Sequence, residues 1–522
     1  MTNISRSLVL GCSLLALAAC GPEDLGSPGT NGDINVGDIT VNPAPTATPT
    51  PAGTVVPAAS CPNLGTADGL VNSGTTPAAV GSYRVCTLPS TFTASATLPY
   101  VAGVVYEMSG RVNVGRDDGP TADATDGITG NPVTLSIEPG VIVYGKSGVS
   151  GGSYLVVNRG SKLNAVGTAT RPIIFTGQAD VSGSVTDTTS ALWGGIVLLG
   201  RAPMADCAAG GVNPADRTTC FMRVEGIADN VPVFGGNTAN DNSGTLKYMQ
   251  IRYSGFTLEL GAELQSLTLG GVGSGTTLEY IQTFNSSDDG FEVFGGTPRA
   301  KYLVSVGAED DSFDVDSGAQ FDLQFAVAVQ RDGVGDRVLE SDSPPDEKGP
   351  GTTPLNALPR TLSRISNFVF WGTSTGNAIG VRGTSDLYLA NGVIYKPTTG
   401  QFCLNDNGNS DGGRRSDIRF YSLLLDCTTN AATAAAIAAG NTTANVFTTN
   451  TLSGKYLNGT KETNFNPVYT GFTPGFFAAT TYIGGVPVPS GTDLAWTRGW
   501  TCDSPTVSFN SGISCKGLPV YN

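Results

Sequence analysis

Residues Glu279–Val293 read EYIQTFNSSDDGFEV, and 22 positions further on residues Lys301–Val315 read KYLVSVGAEDDSFDV. A third segment, Leu323–Gly333, reads LQFAVAVQRDG and continues the alignment without a gap. Each of the first two units contains a short β-rich run, a polar turn and a second short run, without a helical pattern. A strand-based repeat with a period in the twenties is typical of a solenoid.

The repeat predicts which side chains stack in successive coils of the solenoid. The predicted columns are Tyr280, Tyr302 and Gln324; Ile281, Leu303 and Phe325; and Asp288, Asp310 and Asp332. Asn367 and Asn391 are 24 positions apart and are predicted to stack as well, each amide bonding the next.

These patterns predict an all-β protein, a single-stranded right-handed parallel β-helix with loop insertions and disulfide-closed ends. Leucine-rich repeats share the period, but their Leu-x-x-Leu-x-Leu frame is missing. A β-sandwich is the other fold that we considered, but it would need paired strands joined by two-residue Asn-Gly or Asp-Gly turns. We expect a cap region over 61–130, the β-helix over 131–430, and C-terminal coils with a disulfide-bonded cap over 431–522. Ala431–Ala439 is predicted to form a short helix on a loop.

The start of the chain has the features of an export signal. Arg6 precedes an apolar run from Leu8 to Ala19, and this run is too short for a mature membrane span. The string Leu-Ala-Ala-Cys ending at Cys20 resembles the lipobox of bacterial lipoproteins. That resemblance implies a signal peptide over 1–19 and acyl chains on Cys20, which would hold the protein durably to a bilayer. An ordinary secretory cut that leaves Cys20 free is the alternative. Residues 20–60 are then a lipidated N-terminus and a Pro/Thr-rich linker.

The composition excludes several classes of function. The formal net charge is −15, so the chain repels phosphate backbones and nucleic acid is not an expected partner. Cations and basic surfaces fit this charge better. The chain contains no histidine, which excludes Ser-His-Asp and Cys-His catalysis and imidazole-bound zinc.

The cysteines predict disulfides, as expected of an exported protein. Once Cys12 leaves with the signal and Cys20 is acylated, eight of the ten cysteines remain. They fall into four couples close in sequence, which favours local pairing. The couples are Cys61 with Cys86, Cys207 with Cys220, Cys403 with Cys427, and Cys502 with Cys515.

The acidic turns of the repeat are the best candidate site. Stacked coils lie about 4.8 Å apart, and like charges at that spacing repel by about 3.5 kcal/mol at an effective dielectric of about 20. Clustered carboxylates with backbone carbonyls are ligands that Ca²⁺ prefers. We therefore predict a calcium site, with solvated acidic turns or a catalytic carboxylate pair as alternatives. The predicted metal ligands are Asp288, Asp289, Glu292, Asp310, Asp311, Asp314 and Asp332.

An enzymatic function is the competing interpretation, because parallel β-helices include polysaccharide lyases and hydrolases. Paired aspartates could meet the spacing that glycosidic hydrolysis requires. The Asp-Asp pairs loosely resemble the polygalacturonase family, but its histidine is impossible here. Pectate lyases combine calcium-binding acids with an Arg or Lys base, for which Arg299, Lys301 and Arg331 are candidates. No catalytic residue is assigned.

Five strings together resemble a group of β-helical, pectate-lyase-like surface lipoproteins of Gram-negative bacteria. Four strings lie at 154–168, 193–200, 267–277 and 288–296, and the fifth is the tail string, which consists of 481–485 together with 496–501. The resemblance covers roughly residues 130 to 502. It implies a pectate-lyase-like solenoid, lipid-anchored in the outer membrane and exposed at the cell surface, and it implies little chemistry.

The function expected from these observations is a non-enzymatic surface module for binding, adhesion or surface assembly, stiffened by calcium. Outer-membrane lipid would hold it through Cys20. Its partners would be a glycan, an outer-membrane transporter or copies of itself. A polysaccharide lyase or glycoside hydrolase of the β-helix class is the alternative.

Overall fold

The structure is a computed structural model that describes most of residues 53–521. The residues outside the description are 1–52, 123–126, 207–219, 225–231, 260–261, 344–355, 398, 409, 412, 441–444, 468–471, 473–474, 492 and 522. Cys20 and most of the predicted linker therefore lie outside the described residues, as does Cys207.

The described chain forms an all-β parallel β-helix in which each coil passes through three stacks of parallel strands. The first stack contains β4 Ala96–Leu98, β7 Thr134–Ile137, β10 Lys162–Val166, β15 Gly244–Arg252, β19 Thr277–Phe284, β21 Arg299–Val306, β23 Gln320–Val329, β25 Leu362–Trp371, β27 Asp386–Ala390 and β30 Ile418–Tyr421.

The second stack continues from the first, because β15, β19, β21, β23 and β25 are long enough to belong to both. Its other strands are β2 Ser82–Thr87, β5 Val104–Met108, β8 Ile142–Gly145, β11 Ile173–Gly177, β28 Val393–Lys396, β31 Leu424–Cys427 and β32 Val446–Phe447.

The third stack is a separate parallel sheet, and it carries the acidic repeat. Its strands are β3 Thr91–Phe92, β6 Arg111–Val114, β9 Tyr154–Val157, β12 Ile196–Leu199, β18 Leu267–Gly270, β20 Phe291–Phe294, β22 Phe313–Asp316, β24 Leu339–Ser341, β26 Ile379–Val381 and β29 Leu404–Asp406.

The remaining elements are short. β1 Val71–Pro77 pairs antiparallel with β2, and two antiparallel pairs lie outside the stacks: β13 Met222–Arg223 with β14 Val233–Phe234, and β16 Phe256–Glu259 with β17 Ala262–Leu264. The helices are α1 Gln178–Val181, α2 Ala431–Ala439 and α3 Thr460–Asn464. The predicted helix over 431–439 is confirmed. Parallel strands β2 to β6 fall within 61–130, the range predicted to form a cap.

A left-handed residue turns the chain where a long strand passes from the first stack to the second. Six residues at this corner have positive φ and form one column, which consists of four aromatic residues and the asparagines of the next two coils. These residues are Tyr248, Tyr280, Tyr302, Phe325, Asn367 and Asn391. Consecutive rings in the column stack, with centroids 4.4 Å apart for Tyr248–Tyr280 and 4.3 Å for Tyr280–Tyr302. The unusual backbone therefore recurs coil after coil, supported by its neighbours.

The predicted columns are correct between the first two repeats and shift by one residue in the third. Ile281 pairs with Leu303 as predicted, but Leu303 pairs with Ala326 rather than Phe325. The register between β21 and β23 is 23 residues instead of 22, so Phe325 rather than Gln324 stacks on Tyr302. Asn391 donates to the Ser366 hydroxyl rather than to the Asn367 amide. Gln324 is the amide that donates to Asn367.

The interior of the coils is a continuous apolar core. Inward side chains from all three stacks form it, among them Leu163, Phe175, Leu198 and Ile281, which are fully buried. Alternate residues of the strands point outward, and this alternation is what places the acidic residues of β20 and β22 on the outer surface of the third stack.

Disulfides lie near the first and the last coils of the β-helix and within the C-terminal tail. Cys61–Cys86, Cys403–Cys427 and Cys502–Cys515 are bonded, so three predicted couples are confirmed. Cys220 is also disulfide-bonded, but its predicted partner lies outside the described residues.

The end of the chain forms a C-terminal strap, residues 484–521, that runs back over the second stack. The Gly484 N–H donates to Asn391 O in a late coil, and Tyr521 O accepts a hydrogen bond from Tyr100 in an early one. Trp500, which is fully buried, packs between these ends against Tyr280. No helix in the described part of the chain has the length and apolarity needed to cross a membrane.

Candidate metal site

The acidic site begins at the turns that lead into the third stack. Asp289 immediately precedes Gly290 and strand β20, and Asp311 holds the same place before β22. The Asp289 carboxylate accepts a hydrogen bond from the Asp311 N–H at 2.9 Å, and Asp311 accepts one from the Arg337 N–H. Each aspartate thus fixes the backbone of the next coil, and the series ends where an arginine takes the aspartate position.

A second column of acids lies on the outer face of the strands. Glu292 pairs in register with Asp314, and Asp314 pairs with Glu340. All three are at least 95% buried. Asp316 and Asp342 are also buried, one position further along the outer face.

The carboxylate oxygens converge into three groups that could hold a metal ion. Within each group one oxygen per residue lies within 4.8 Å of the others. The groups are Asp288, Asp289 and Asp310; Asp289, Glu292 and Asp314; and Asp310, Asp311 and Asp336. Asp289, Glu292 and Asp314 form the only one of these groups in which every member is buried.

Burial and mutual repulsion make this site hold protons strongly. Burial, and then the charges of Asp288 and Glu292, raise the pKa of Asp289 well above its usual value. Burial followed by the charge of Asp311 does the same to the pKa of Asp314. Burial also raises the pKa of Asp311 to about 8. Carboxylates in this condition either stay protonated or need a cation.

Arginines neutralise one end of the acidic column. The Arg337 side chain lies over Gly380, where the next coil has no side chain, and its guanidinium contacts Glu340 at 2.5 Å. Arg382 pairs with Glu340 and, at 2.9 Å, with Asp342. The late end of the column therefore carries its own counter-charge.

At the early end of the column, two neutral side chains lie beside the acidic residues. Gln265 donates to the Asp288 carboxylate at 3.1 Å, and Thr268 donates to Gln265 at 2.6 Å. Thr268 pairs in register with Glu292. From its early to its late end, the column therefore consists of a hydroxyl group, the carboxylates of Glu292 and Asp314, and the arginine-paired Glu340.

Asp314 provides the test of whether these residues fit a metal ion. Its Oδ1 atom is buried and has no hydrogen-bond partner. Neither Asp289 nor Asp314 forms an ion pair with any described residue. A buried anionic oxygen without a partner is costly, and oxygen ligands of this kind suit a hard divalent cation. The site fits a metal ion.

The structure brings together six of the seven predicted ligands and replaces the seventh. Asp332 is exposed and lies outside the three groups, because the third coil of the sheet has 26 residues instead of 22. Four extra residues carry the chain past Asp332, so that the Asp336 N–H donates to Asp310 O. The predicted column of Asp288, Asp310 and Asp332 is therefore corrected to Asp288, Asp310 and Asp336.

The late part of the column was not predicted from the sequence; it consists of Asp316, Glu340, Asp342 and Arg382. The string Leu339-Glu340-Ser341-Asp342 matches Phe313-Asp314-Val315-Asp316 in its alternation. An alignment that allowed a four-residue insertion would have found it.

The three candidate bases of the enzymatic interpretation lie elsewhere or are already paired. Arg299 and Lys301 begin β21 in the first stack, where Arg299 faces Asp322 at 3.5 Å and Lys301 lies over the Phe476 ring. Arg331 pairs with Glu309 at 2.6 Å. A lyase mechanism through these residues has no support in the geometry.

Fold and site together define a parallel β-helix with a stacked carboxylate site on one outer face. The family model described as pectate-lyase like beta helix domain matches residues 124–501. This is most of the chain, and the protein belongs to that family. No curated protein and no solved structure matches it.

Proposed function

We propose that this protein is an exported binding module whose acidic turns hold a divalent cation, with Ca²⁺ as the ion. One observation carries the proposal: Asp289, Glu292 and Asp314 are buried together, and Asp314 Oδ1 has no partner. The cation would join two successive coils and hold the outer face of the third stack in one conformation, to which a ligand could bind. The module itself would be non-enzymatic.

The preference for Ca²⁺ follows from the ligands. The groups supply several carboxylates on two adjacent coils, and Ca²⁺ accepts six to eight oxygens in irregular geometry. Mg²⁺ demands a near-ideal octahedron and keeps most of its water, which a buried site does not favour.

The export and anchoring of the module belong to the same proposal. Arg6, the short apolar run and Cys20 support a lipoprotein held in the outer membrane at the cell surface. The proposal includes a right-handed β-helix built from a single chain. It also includes a binding partner, which would be a glycan, an outer-membrane transporter or a second copy of this chain. Replacing Cys20 by Ala should move the protein from the membrane fraction to the soluble fraction, and an unchanged distribution would contradict the anchor.

Calorimetry tests the cation site. We expect the EDTA-treated protein to bind Ca²⁺ and Asp314→Asn to bind at least tenfold more weakly. Asp332→Asn is the matched control, because it removes an acid of the same repeat outside the groups. Equal affinity in both variants, or no binding by the parent protein, would overturn the proposal.

Carbohydrate cleavage remains a second candidate because of Asp310. This residue is more exposed than the neighbouring Asp288 and Asp289, and partial burial of its carboxyl group raises its pKa, as an acid catalyst requires. The family name adds support. Release of products from uronic-acid or neutral polysaccharides, lost in Asp310→Asn, would place this function first.

A further inference from the structure

The C-terminal strap joins parts of the chain that a solenoid would otherwise leave independent. In a solenoid each coil contacts only its neighbours, and folding can spread from coil to coil. The strap instead places residues 500–521 against coils formed 220 to 421 positions earlier. Its contacts are therefore the longest-range ones described for this chain.

Amide side chains fasten the middle of the strap to the second stack. Gln282 accepts a hydrogen bond from the Cys502 N–H at 2.6 Å and donates to Cys502 O at 3.2 Å. Gln250, in register with Gln282 one coil earlier, donates to Trp500 O. These bonds hold the strap backbone much as a neighbouring strand would.

A buried ion pair fastens the strap further along. Arg252 and Asp180 are fully buried and lie 3.4 Å apart. Arg252 also donates to Cys515 O at 3.0 Å and to Gly517 O at 2.8 Å, and the Gly517 N–H donates to Asp180. Without the strap, both charged groups would lose these partners.

The last residues of the strap cover the apolar outer surface of the first coils. Leu518 and Val520 pack on a cluster that includes Tyr83, Val105 and Ile174, all nearly or fully buried. These side chains point away from the interior of the coils, and the strap shares the task of covering them with Val55, Ala78 and Val181.

We propose that the strap makes folding of the first coils conditional on the last residues of the chain. The cover over the outer surface of the first coils is incomplete until residues 500–521 arrive, and the solenoid closes as one unit when they do. The proposed export gives this device its use, since a chain that must cross a membrane benefits from staying open until residues 500–521 have followed. The inference involves no cation, so its failure leaves the cation site untouched.

Pulsed hydrogen exchange during refolding tests the proposal on the full chain with its disulfides intact. Mass spectrometry would follow peptides from the first coils (83–108 and 142–176), the middle coils (245–330) and the strap (500–521). We expect the first coils and the strap to gain protection in the same kinetic phase. Protection of the first coils at a rate at least tenfold higher than that of the strap would overturn the proposal.

Native-state exchange of two tryptophan variants provides an independent measurement. Trp500→Ala weakens the strap and should raise exchange of the first-coil amides by about tenfold. Trp371→Ala is the control, because this half-buried ring stacks on Tyr395 in a late coil, and it should raise exchange only locally. If Trp500→Ala left the hydrogen exchange of the first-coil amides unchanged, this result would contradict the proposal. If that variant does not fold, the refolding order of the parent chain decides.

Discussion

The string Asp-Asp-Gly occurs at 117–119 and again at 288–290, and the two copies have opposite electrostatic surroundings. At the first copy, Arg159 binds Asp117 through two hydrogen bonds of 2.6 and 2.7 Å, and Arg201 binds Asp118 at 2.7 Å. At the second copy, Asp289 faces further carboxylates and has no ion-pair partner among the described residues. The same residues form a structural ion pair in one coil and a candidate cation site in another.

This difference shows that the neighbouring residues in stacked coils, not the Asp-Asp-Gly string itself, determine whether the aspartates of a turn are neutralised. The arginines that neutralise Asp117 and Asp118 come 42 and 83 positions later in the sequence. The coils next to Asp289 supply Asp311 and Asp314 instead. Four predictions break or sharpen this comparison.

Removing the arginine from the first copy should have the largest effect. Arg159→Met would leave Asp117 without its bidentate partner, and breaking a buried pair costs about 3–5 kcal/mol of unfolding free energy. Urea denaturation would measure the loss. Adding Asp117→Asn should recover part of it, whereas no recovery would show that Arg159 acts by packing alone.

The second copy should make the stability of the protein depend on pH and on Ca²⁺. Folding raises the pKa of Asp289, Asp311 and Asp314, so between pH 4 and pH 8 the folded protein binds more protons than the unfolded chain. Without Ca²⁺, stability should therefore fall as the pH rises through this range. Ca²⁺ at 100 times its Kd should add about 2.7 kcal/mol at pH 8. Thermal unfolding with EDTA and with Ca²⁺ checks this, and equal curves at pH 8 would exclude the ion.

The glycines of the two copies should resist substitution for different reasons. Gly119 has a φ of 74°, whereas Gly290 is restricted by space: a Cβ there would lie 2.7 Å from Ser312 O and 2.9 Å from Thr283 Oγ1, and it would also meet Ser305. Gly290→Ala should cost about 1–3 kcal/mol through overpacking. Gly69→Ala, with open space around it, is the control and should be nearly neutral in the same denaturation experiment.

The smallest effect is the change in unfolding free energy when one carboxylate is removed, and its sign should differ between the two copies. Without Ca²⁺ at pH 8, Asp314→Asn should raise the unfolding free energy by about 1 kcal/mol, because it removes an unpaired buried charge. Asp117→Asn should lower it, because its arginine loses a partner. Chemical denaturation of both variants at pH 8 measures this, and destabilisation by both would show that the two copies are electrostatically alike.

The sequence was sufficient for the parallel stacks and for most of the site, because the repeat at Glu279 and Lys301 keeps its spacing in the structure. The predicted alignment of the columns was wrong where a coil changes length. One extra residue before Phe325 and four before Asp336 shift the columns, and an ungapped alignment cannot show this.

Arg382 and the strap were also beyond sequence reasoning, for a different physical reason. Arg382 reaches Glu340 from the next coil, and the strap binds through single residues such as Gln282. Neither contact leaves a periodic pattern, and in both cases the partners are far apart in the sequence.

The returning strap also determines where something fused to the end of this chain would emerge. Leu518 and Val520 pack beside the cluster that contains Val55, so the two ends of the described chain meet on the same coils. An added reporter or epitope would emerge beside the base of any membrane tether, not beside the last coil at Val446. For display at the distal tip, an exposed loop of the late coils is the better insertion point.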